Sequence, residues 1–140
     1  MKIKLLFENA KVPTYATDGS AAFDFYATNA VTISPGNSGL TGTGIAVEIP
    51  KNHVILVFSR SGHGFNHGLR LSNCVGVIDE DFRGEIMVRL HNDSNTDYTV
   101  NAGERVAQGL VLATWRHKLE VVDSLSETKR GTNGLGSTGK

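Results

Sequence analysis

The sequence lacks several features that mark common classes of protein. Its single cysteine, Cys74, excludes an internal disulfide, and the apolar run around it (NCVGVI) predicts a buried thiol in a reducing compartment. Its 14 basic and 14 acidic residues leave no net charge. This balance argues against a general nucleic-acid or membrane-surface binder, which carries a basic excess. No apolar run approaches membrane-spanning length and no leader-like segment opens the chain, so we expect a soluble intracellular protein.

Convincing helical periodicity with capping residues is missing as well, so no helix is predicted. Short runs rich in β-branched and aromatic residues recur instead, separated by turn signals such as SPGN, NDSNTD and NAGE. The runs are MKIKLLF, AAFDFYA, LTGTGIAVEI, HVILVFS, NCVGVI, EIMVRLH and RVAQGLVLATW. This pattern predicts an all-β sandwich, jelly roll or barrel. Residues 1–122 form the predicted β domain, and the polar, Gly-rich residues 123–140 a flexible C-terminal arm.

Four local patterns suggest other functions, and each has a simpler interpretation. The terminal GLGSTGK has the glycines and lysine of a P-loop, but neither the following Ser or Thr nor a helix. Gly39, Gly42 and Gly44 precede a β-rich run, so they are read as turn and strand glycines and not as a dinucleotide fingerprint. His63 and His67 have zinc-ligand spacing, but GFN between them is a poor helix, which favours loop histidines. The acidic residues 79–81 lack the alternating ligands of a calcium loop.

Five segments carry more information together than any of them alone. They are DGSAAFDFYA (18–27), SRSG (59–62), NCVGVIDEDFRGEI (73–86), GERVAQGLV (103–111) and RGTNGLGSTG (130–139). In this order they resemble the trimeric dUTP pyrophosphatases (dUTPases), and the resemblance extends from Val12 to the tail. It implies a jelly-roll β-fold, a homotrimer with active sites shared between subunits, and hydrolysis of dUTP to dUMP and pyrophosphate. It implies no direct contact with nucleic acid or membrane, and a location in the cytoplasm (the host's for a virus) or a eukaryotic nucleus.

The resemblance assigns the chemistry to Asp79, which follows an apolar run at a predicted hairpin. Its carboxylate would position the water that attacks the α-phosphorus and contact the 3′-hydroxyl of the sugar. Taken without the other segments, Asp79 is better explained as a turn-forming aspartate, and only the set of five segments favours the catalytic role. Phe82 stands where the family usually has Tyr, and its ring would exclude a 2′-hydroxyl because burying an unpaired hydroxyl costs about 1–3 kcal/mol.

The same resemblance assigns the base and the phosphates. The uracil slot would be the hairpin at residues 73–87, and the residues given to base and sugar are Asn73, Gly76, Ile78, Asp79, Phe82, Met87 and Leu135. Gly76 has the alternative interpretation of a β-bulge. The residues given to the phosphates are Arg60, Ser61, Gly62, Gln108, Arg130, Gly136, Ser137 and Thr138. We expect Mg²⁺ to be held mainly by substrate phosphates and water, with Asp24 supporting catalysis from beyond the direct ligands and Arg105 as its structural partner.

Three positions depart from the family pattern. Ser59 replaces a frequent Pro, which predicts a less rigid loop and little else. Phe82 keeps the ring of the usual Tyr. Leu135 replaces a Phe that would stack on uracil, which predicts weaker closure of the arm because base–aromatic stacking contributes about 1–3 kcal/mol. A non-catalytic nucleotide-dependent regulator and a dCTP deaminase are the alternative functions on this fold.

Overall fold

The computed structural model describes residues 1–135, which form twelve strands and one short helix. The strands are β1 (Lys2–Leu5), β2 (Thr14–Tyr15), β3 (Phe23–Tyr26), β4 (Val31–Ile33), β5 (Ser38–Gly42), β6 (Ile45–Glu48), β7 (His53–Phe58), β8 (Leu69–Leu71), β9 (Val75–Ile78), β10 (Met87–Asn92), β11 (Tyr98–Val100) and β12 (Arg105–Ala113). The helix is α1 (Ser61–His67). Residues 114–135 contain neither helix nor strand, and the predicted domain boundary at residue 122 stays a prediction.

The strands pair only in antiparallel fashion and make four sheets. The largest has the order β2-β3-β12-β7-β9, and the others are β5-β10-β8, β1-β6 and β11-β4. Their apolar faces enclose one core whose largest fully buried side chains include Phe25, Ile55, Leu69, Leu90 and Val106. The all-β jelly-roll prediction is therefore confirmed.

The run LTGTGIAVEI divides into β5 and β6 because of Gly44. This residue has a φ of +67°, which L side chains rarely adopt, and a Cβ there would lie 2.5 Å from the Cβ of Ala10. Gly39 and Gly42 lie within β5. These glycines are strand and turn residues, as predicted.

The absence of any helix was a wrong prediction. Ser61–His67 form α1, which begins after the extended Arg60 and ends at Gly68, where a φ of 64° allows the N–H to bond the carbonyl of Gly64. A segment with two internal glycines is a poor helix by propensity. Its buried face, with His63, packs beside β8, so tertiary contacts form this helix. The helix is too short to cross a membrane, and residues 1–135 contain no other.

The segment around Cys74 also differs from its prediction. Cys74 is exposed and has a φ of 62°, in a turn where its N–H bonds the carbonyl of Leu71. It precedes β9, an edge strand paired with β7 alone, so an apolar sequence here is half-exposed. The predicted β-hairpin at residues 73–87 does not form, because its two strands do not pair with each other. Strand β10 pairs with β5 and β8, and β9 pairs with β7. Strand pairing over long sequence distances overrides local pattern here.

Candidate active site

A buried carboxylate between two arginines marks the first part of the site. Asp24 on β3 is 8% exposed. Its Oδ1 lies 3.2 Å from Arg60 Nε and its Oδ2 lies 3.2 Å from Arg105 Nη1. Arg60 also donates from Nη1 to the carbonyl of Arg105 at 3.2 Å. The expected pairing of Asp24 with Arg105 is thus present, and the carboxylate fixes both guanidinium groups at one end of the large sheet.

Gln108 lies beside this cluster because of strand register. On the central strand β12 it stands opposite Asp24 on one side and Phe58 on the other. Its Nε2 donates to the carbonyl of Ser59 at 3.1 Å, while Ser59 Oγ accepts the N–H of Leu71 at 2.8 Å. Ser59 therefore joins the end of β7 to β8, a role that sequence reasoning missed, since the hydroxyl and the N–H that donates to it are 12 positions apart in the chain.

These side chains line a cleft of about 390 Å³. Its lining includes Asp24, Arg60, Ser61, Arg105 and Gln108, together with small residues of the segment 16–22. At its edge a Cβ placed on Gly62 would meet nothing within 4 Å, so the start of α1 is open to an incoming group. Two arginines, one amide and two serine hydroxyls surround open space, with one carboxylate already paired to both arginines, and such a site is suited to a polyanion. The structure brings together the predicted phosphate residues Arg60, Ser61, Gly62 and Gln108.

The second part of the site is the segment from Asn73 through β9. Gly76 faces Val57 on β7, where an added Cβ would approach Val57 Cβ to 3.2 Å. Because the register is continuous, the bulge interpretation is wrong, and Gly76 lets the two strands approach closely. Ile78 packs against the core. Asn73 lies in the turn that leads into this edge strand.

A tight turn follows β9 and carries Asp79 and Phe82. The N–H of Phe82 donates to the carbonyl of Asp79 at 3.1 Å. The Phe82 ring is 41% exposed and covers Gly84, where a Cβ would lie 2.7 Å from its Cζ. Met87 begins β10 and is also exposed. An exposed carboxylate, aromatic ring and thioether leave this surface free to contact a ligand.

The Asp79 turn and the cleft lie at opposite ends of β7 within one chain, although β9 begins at the cleft end, where Val75 is opposite Phe58. Ile55 is opposite Ile78, whereas Phe58 is opposite Gln108. Three residues of strand span about 10 Å, and Asp79 and Arg60 lie beyond these positions at their own ends. One chain therefore does not place Asp79 on the polyanion cleft.

Behind α1 lies a polar cluster that sequence reasoning did not anticipate. His63 Nε2 and the Tyr98 hydroxyl both lie 3.3 Å from Glu104 Oε1, and the N–H of Asn101 donates to Glu104 Oε2 at 3.0 Å. Burial lowers the pKa of His63 in spite of the nearby carboxylate. Burial opposes ionisation of Glu104, but hydrogen bonds from Asn101, His63 and Tyr98 outweigh it and lower its pKa. The favoured state is a neutral imidazole beside a carboxylate.

The side chains of residues 1–135 contain no group of three His, Cys, Asp or Glu that could hold a metal ion. Both oxygens of Asp24 already contact arginines. Glu80, between the two aspartates of the acidic run, pairs with Arg116 at 3.1 Å. The carboxylate oxygens of Asp24 and Glu80 that pair with arginines are therefore not free to act as metal ligands.

Arg130 and Leu135 are not among the residues that line the cleft. Arg130 donates from Nε to the carbonyl of Asn133 at 3.0 Å, within its own loop. Leu135 is fully exposed. The other predicted phosphate ligands of this segment, Gly136, Ser137 and Thr138, lie outside the described residues.

Comparison with known proteins agrees with this geometry. The dUTPase family model matches residues 8–139. Deoxyuridine 5′-triphosphate nucleotidohydrolase of Helicobacter pylori (strain P12) is 41% identical over 139 residues, covering 99% of this chain and 96% of that protein. The same enzyme of Nautilia profundicola is 41% identical over 140 residues, covering 100% and 99%.

A solved structure is similar over the same length. The Staphylococcus bacteriophage 80alpha dUTPase with dUpNHpp has a TM-score of 0.92 and 27% identity, covering 99% of this chain and 98% of that one. Agreement in fold and sequence across the full length leaves a single assignment. This chain belongs to the dUTPase family.

Proposed function

We propose that this protein is a dUTP diphosphatase that hydrolyses dUTP to dUMP and pyrophosphate. The observation that carries the proposal is the cleft of Asp24, Arg60, Arg105 and Gln108 in a chain that belongs to the dUTPase family from residue 8 to residue 139. Two fixed guanidinium groups and an amide suit a triphosphate. In a cell, this reaction keeps uracil out of DNA and supplies dUMP for thymidylate synthesis.

Asp79 is the proposed base. Its carboxylate takes a proton from water, the water oxygen bonds to the α-phosphorus, and the bond from that phosphorus to the bridging oxygen breaks, releasing pyrophosphate. Arg60, Ser61, Gly62 and Gln108 hold the phosphates in line for this attack. Asp24 keeps Arg60 in place without touching the substrate. Mg²⁺ supplies neutralisation of the triphosphate when it is bound.

The segment from Asn73 to Asp79 is the proposed reader of the base. Backbone donors and acceptors around Gly76 and Ile78 distinguish uracil from cytosine by hydrogen-bond order, and a tight slot has no room for a 5-methyl group. Phe82 and Met87 border the sugar and the base. The exposed Phe82 ring presents no partner to a 2′-hydroxyl, so a ribonucleotide is disfavoured.

The oligomer proposed is a homotrimer. Since Asp79 and the cleft lie at opposite ends of β7, a complete site requires one part from each of two chains. Repeating this contact around a closed ring completes one site per subunit.

The segment 123–140 is the proposed lid of this site. Arg130, Leu135, Gly136, Ser137 and Thr138 would close over a bound triphosphate, with the glycines allowing close wrapping. Deleting residues 130–140 then removes most of the activity and leaves the oligomer folded. A fully active truncated protein would refute the lid.

The experiment for the activity is pyrophosphate release with Mg²⁺ from dUTP, dTTP, dCTP and UTP in parallel. We expect release from dUTP alone at a substantial rate, and almost none from Asp79→Asn with any nucleotide. Ammonia release from dCTP would favour the deaminase alternative. No pyrophosphate from dUTP above background would refute the proposed function.

The shared site is tested by complementation. The variants Asp79→Asn and Arg60→Ala are each expressed alone, where both should be inactive. The two chains are then co-expressed in one cell so that they form mixed oligomers. Random mixing leaves about one quarter of the sites with intact residues from both chains, so activity should return to about that fraction. Sites confined to one chain would stay inactive in the mixture. Sedimentation equilibrium on the wild-type protein gives the mass of the oligomer.

A further inference from the structure

Glu80, the residue after the proposed base, has contacts unlike those of a surface acid. Its side chain is only 19% exposed. Its Oε2 accepts the N–H of Asn52 at 2.5 Å, and its Oε1 lies 3.1 Å from Arg116 Nη2. We propose that Glu80 is a positioning residue that holds the turn of Asp79 and Phe82 and links it to the root of the C-terminal segment. The inference rests on the proposed function, because it concerns the same turn.

The side chain of Arg83 also holds the backbone of the turn through two hydrogen bonds. Arg83 Nη1 donates to the carbonyl of Glu80 at 2.7 Å and to the carbonyl of Phe82 at 2.9 Å. Together with the bond from Phe82 N–H to the carbonyl of Asp79, these contacts close the turn on itself. They do not attach it to the rest of the fold. The carboxylate of Glu80 provides that attachment.

The anchor of Glu80 is itself constrained. Asn52 has a φ of 61°, a conformation that holds its N–H toward Glu80 in a turn between β6 and β7. The carbonyl of the same residue accepts the N–H of Thr114 at 2.8 Å. One peptide segment thus ties the Asp79 turn to the point where β12 ends, and Arg116 repeats the connection two residues later.

This arrangement predicts a specific kinetic defect. Freeing the turn misplaces Asp79 and Phe82 but leaves Arg60 and Gln108 at the far end of β7. Since misplacement of a catalytic group acts on the chemical step, kcat falls while KM changes little. Discrimination between dUTP and UTP also weakens, because it depends on the position of the Phe82 ring.

The chain offers matched controls. Asp81 is the adjacent carboxylate, is exposed, and has no hydrogen bond or ion pair within the described residues. Lys118 is an exposed cation two residues beyond Arg116. All variants are single substitutions. Glu80→Ala is compared with the control Asp81→Ala, and Arg116→Gln is compared with the control Lys118→Gln. Glu80→Gln retains an acceptor for the Asn52 N–H and removes the charge that Arg116 pairs with.

We measure kcat and KM for dUTP and UTP in each full-length variant, with thermal unfolding and amide exchange at Asn52. Glu80→Ala should lower kcat about tenfold with KM within about twofold, and reduce the dUTP to UTP ratio of kcat/KM severalfold. Glu80→Gln should recover most of the loss, Arg116→Gln should give a smaller defect, and both controls should match the wild type. The Asn52 amide should exchange faster in Glu80→Ala alone.

Two results would overturn the inference. One is a Glu80→Ala protein that matches Asp81→Ala in kcat, nucleotide ratio and Asn52 exchange. The other is a Glu80→Ala protein in which kcat/KM falls by the same factor for dUTP and UTP and the whole loss comes from a higher KM. If Glu80→Ala does not fold, Arg116→Gln is compared with Lys118→Gln, and an Arg116→Gln protein that matches this control in kcat and in the dUTP to UTP ratio would overturn the inference. If the wild-type protein releases no pyrophosphate from dUTP, the proposed function fails, and exchange at Asn52 still shows whether Glu80 anchors the turn.

Discussion

Arg60 and Asp24 form an ion pair of 3.2 Å across the sheet, between residues 36 positions apart in the chain. Since the carboxylate also holds Arg105, one buried aspartate sets the position of both cations of the cleft. The orientation of Arg60 is therefore set by contacts within the protein.

We predict that Asp24→Asn lowers both affinity and stability. The amide keeps the size of the side chain but leaves two guanidinium groups without a counter-charge, which costs about 1–3 kcal/mol in the free energy of unfolding. KM for dUTP should rise and kcat fall. Urea unfolding and steady-state kinetics measure the two effects, with Asp97→Asn, an exposed turn residue, as control. An Asp24→Asn protein as stable and active as Asp97→Asn would show that the pair has no such role.

Ser59 provides a second prediction. Because its hydroxyl accepts the N–H of the buried Leu71, Ser59→Ala should lower the free energy of unfolding by about 1–2 kcal/mol. Ser59→Pro, the residue frequent in the family, should not be more stable than the wild type, since it loses the same bond. Ser59→Thr should restore stability, and Ser126→Ala in the exposed tail should have no effect. A stabilising proline would support the simpler idea of lost loop rigidity.

Leu135 provides a third prediction. Replacing this exposed leucine by phenylalanine supplies a ring that stacks on uracil, so Leu135→Phe should lower KM or raise kcat, by up to about tenfold. The matched control is Leu125→Phe, since Leu125 is another exposed leucine of the same segment. Steady-state kinetics with dUTP decide the matter. If Leu135→Phe leaves both KM and kcat unchanged, the proposal that Leu135 weakens closure of the arm is wrong.

The fourth prediction concerns pH. Burial holds the pKa of His63 below its ordinary value of 6.5, with smaller effects of Arg60 and His67 in the same direction and of Glu104 in the opposite one. Below about pH 6.5, His63 therefore binds a proton in the unfolded chain but stays neutral in the folded protein until the pH reaches its lower folded pKa. The stability associated with neutral His63 is fully present above that pH and is lost as the pH falls toward the folded pKa.

The measurement is Tm between pH 5.5 and 7.5 for the wild type, His63→Gln and His117→Gln. The Tm of His63→Gln should approach or exceed that of the wild type as the pH falls. Glutamine does not titrate, so the variant does not lose the stability that the wild type loses when His63 is protonated. His117 lies exposed beyond β12, so His117→Gln should follow the wild type. Parallel curves for wild type and His63→Gln would contradict the assignment.

Much of the fold could be predicted, because β-rich runs and turn residues have local signals. Strands such as β3, β7 and β12 fall inside the predicted runs. The short strands β2, β4, β8 and β11 were missed, since two or three residues carry too little pattern. The helix α1 was missed because its sequence disfavours a helix and its packing against β8 compensates.

The candidate site divides in the same way. The resemblance of five segments to the dUTPase family marked Asp24, Arg60, Gln108 and Asp79, and the structure places the first three together. Their contact depends on the register of β12 between β3 and β7. Ser59 and Glu80 had no signal in the chain, because Leu71 and Arg116, their partners, are 12 and 36 positions away.

The amino-acid sequence was enough to predict the family, the all-β class and the candidate site residues, since short segments carry each of these signals. The opposite placement of Asp79 and the cleft of Arg60 and Gln108 along β7, and the link from Glu80 to the end of β12, came from the three-dimensional structure alone. The physical reason is strand pairing. Hydrogen bonds between distant segments set register, and register places side chains on a common edge or keeps them apart.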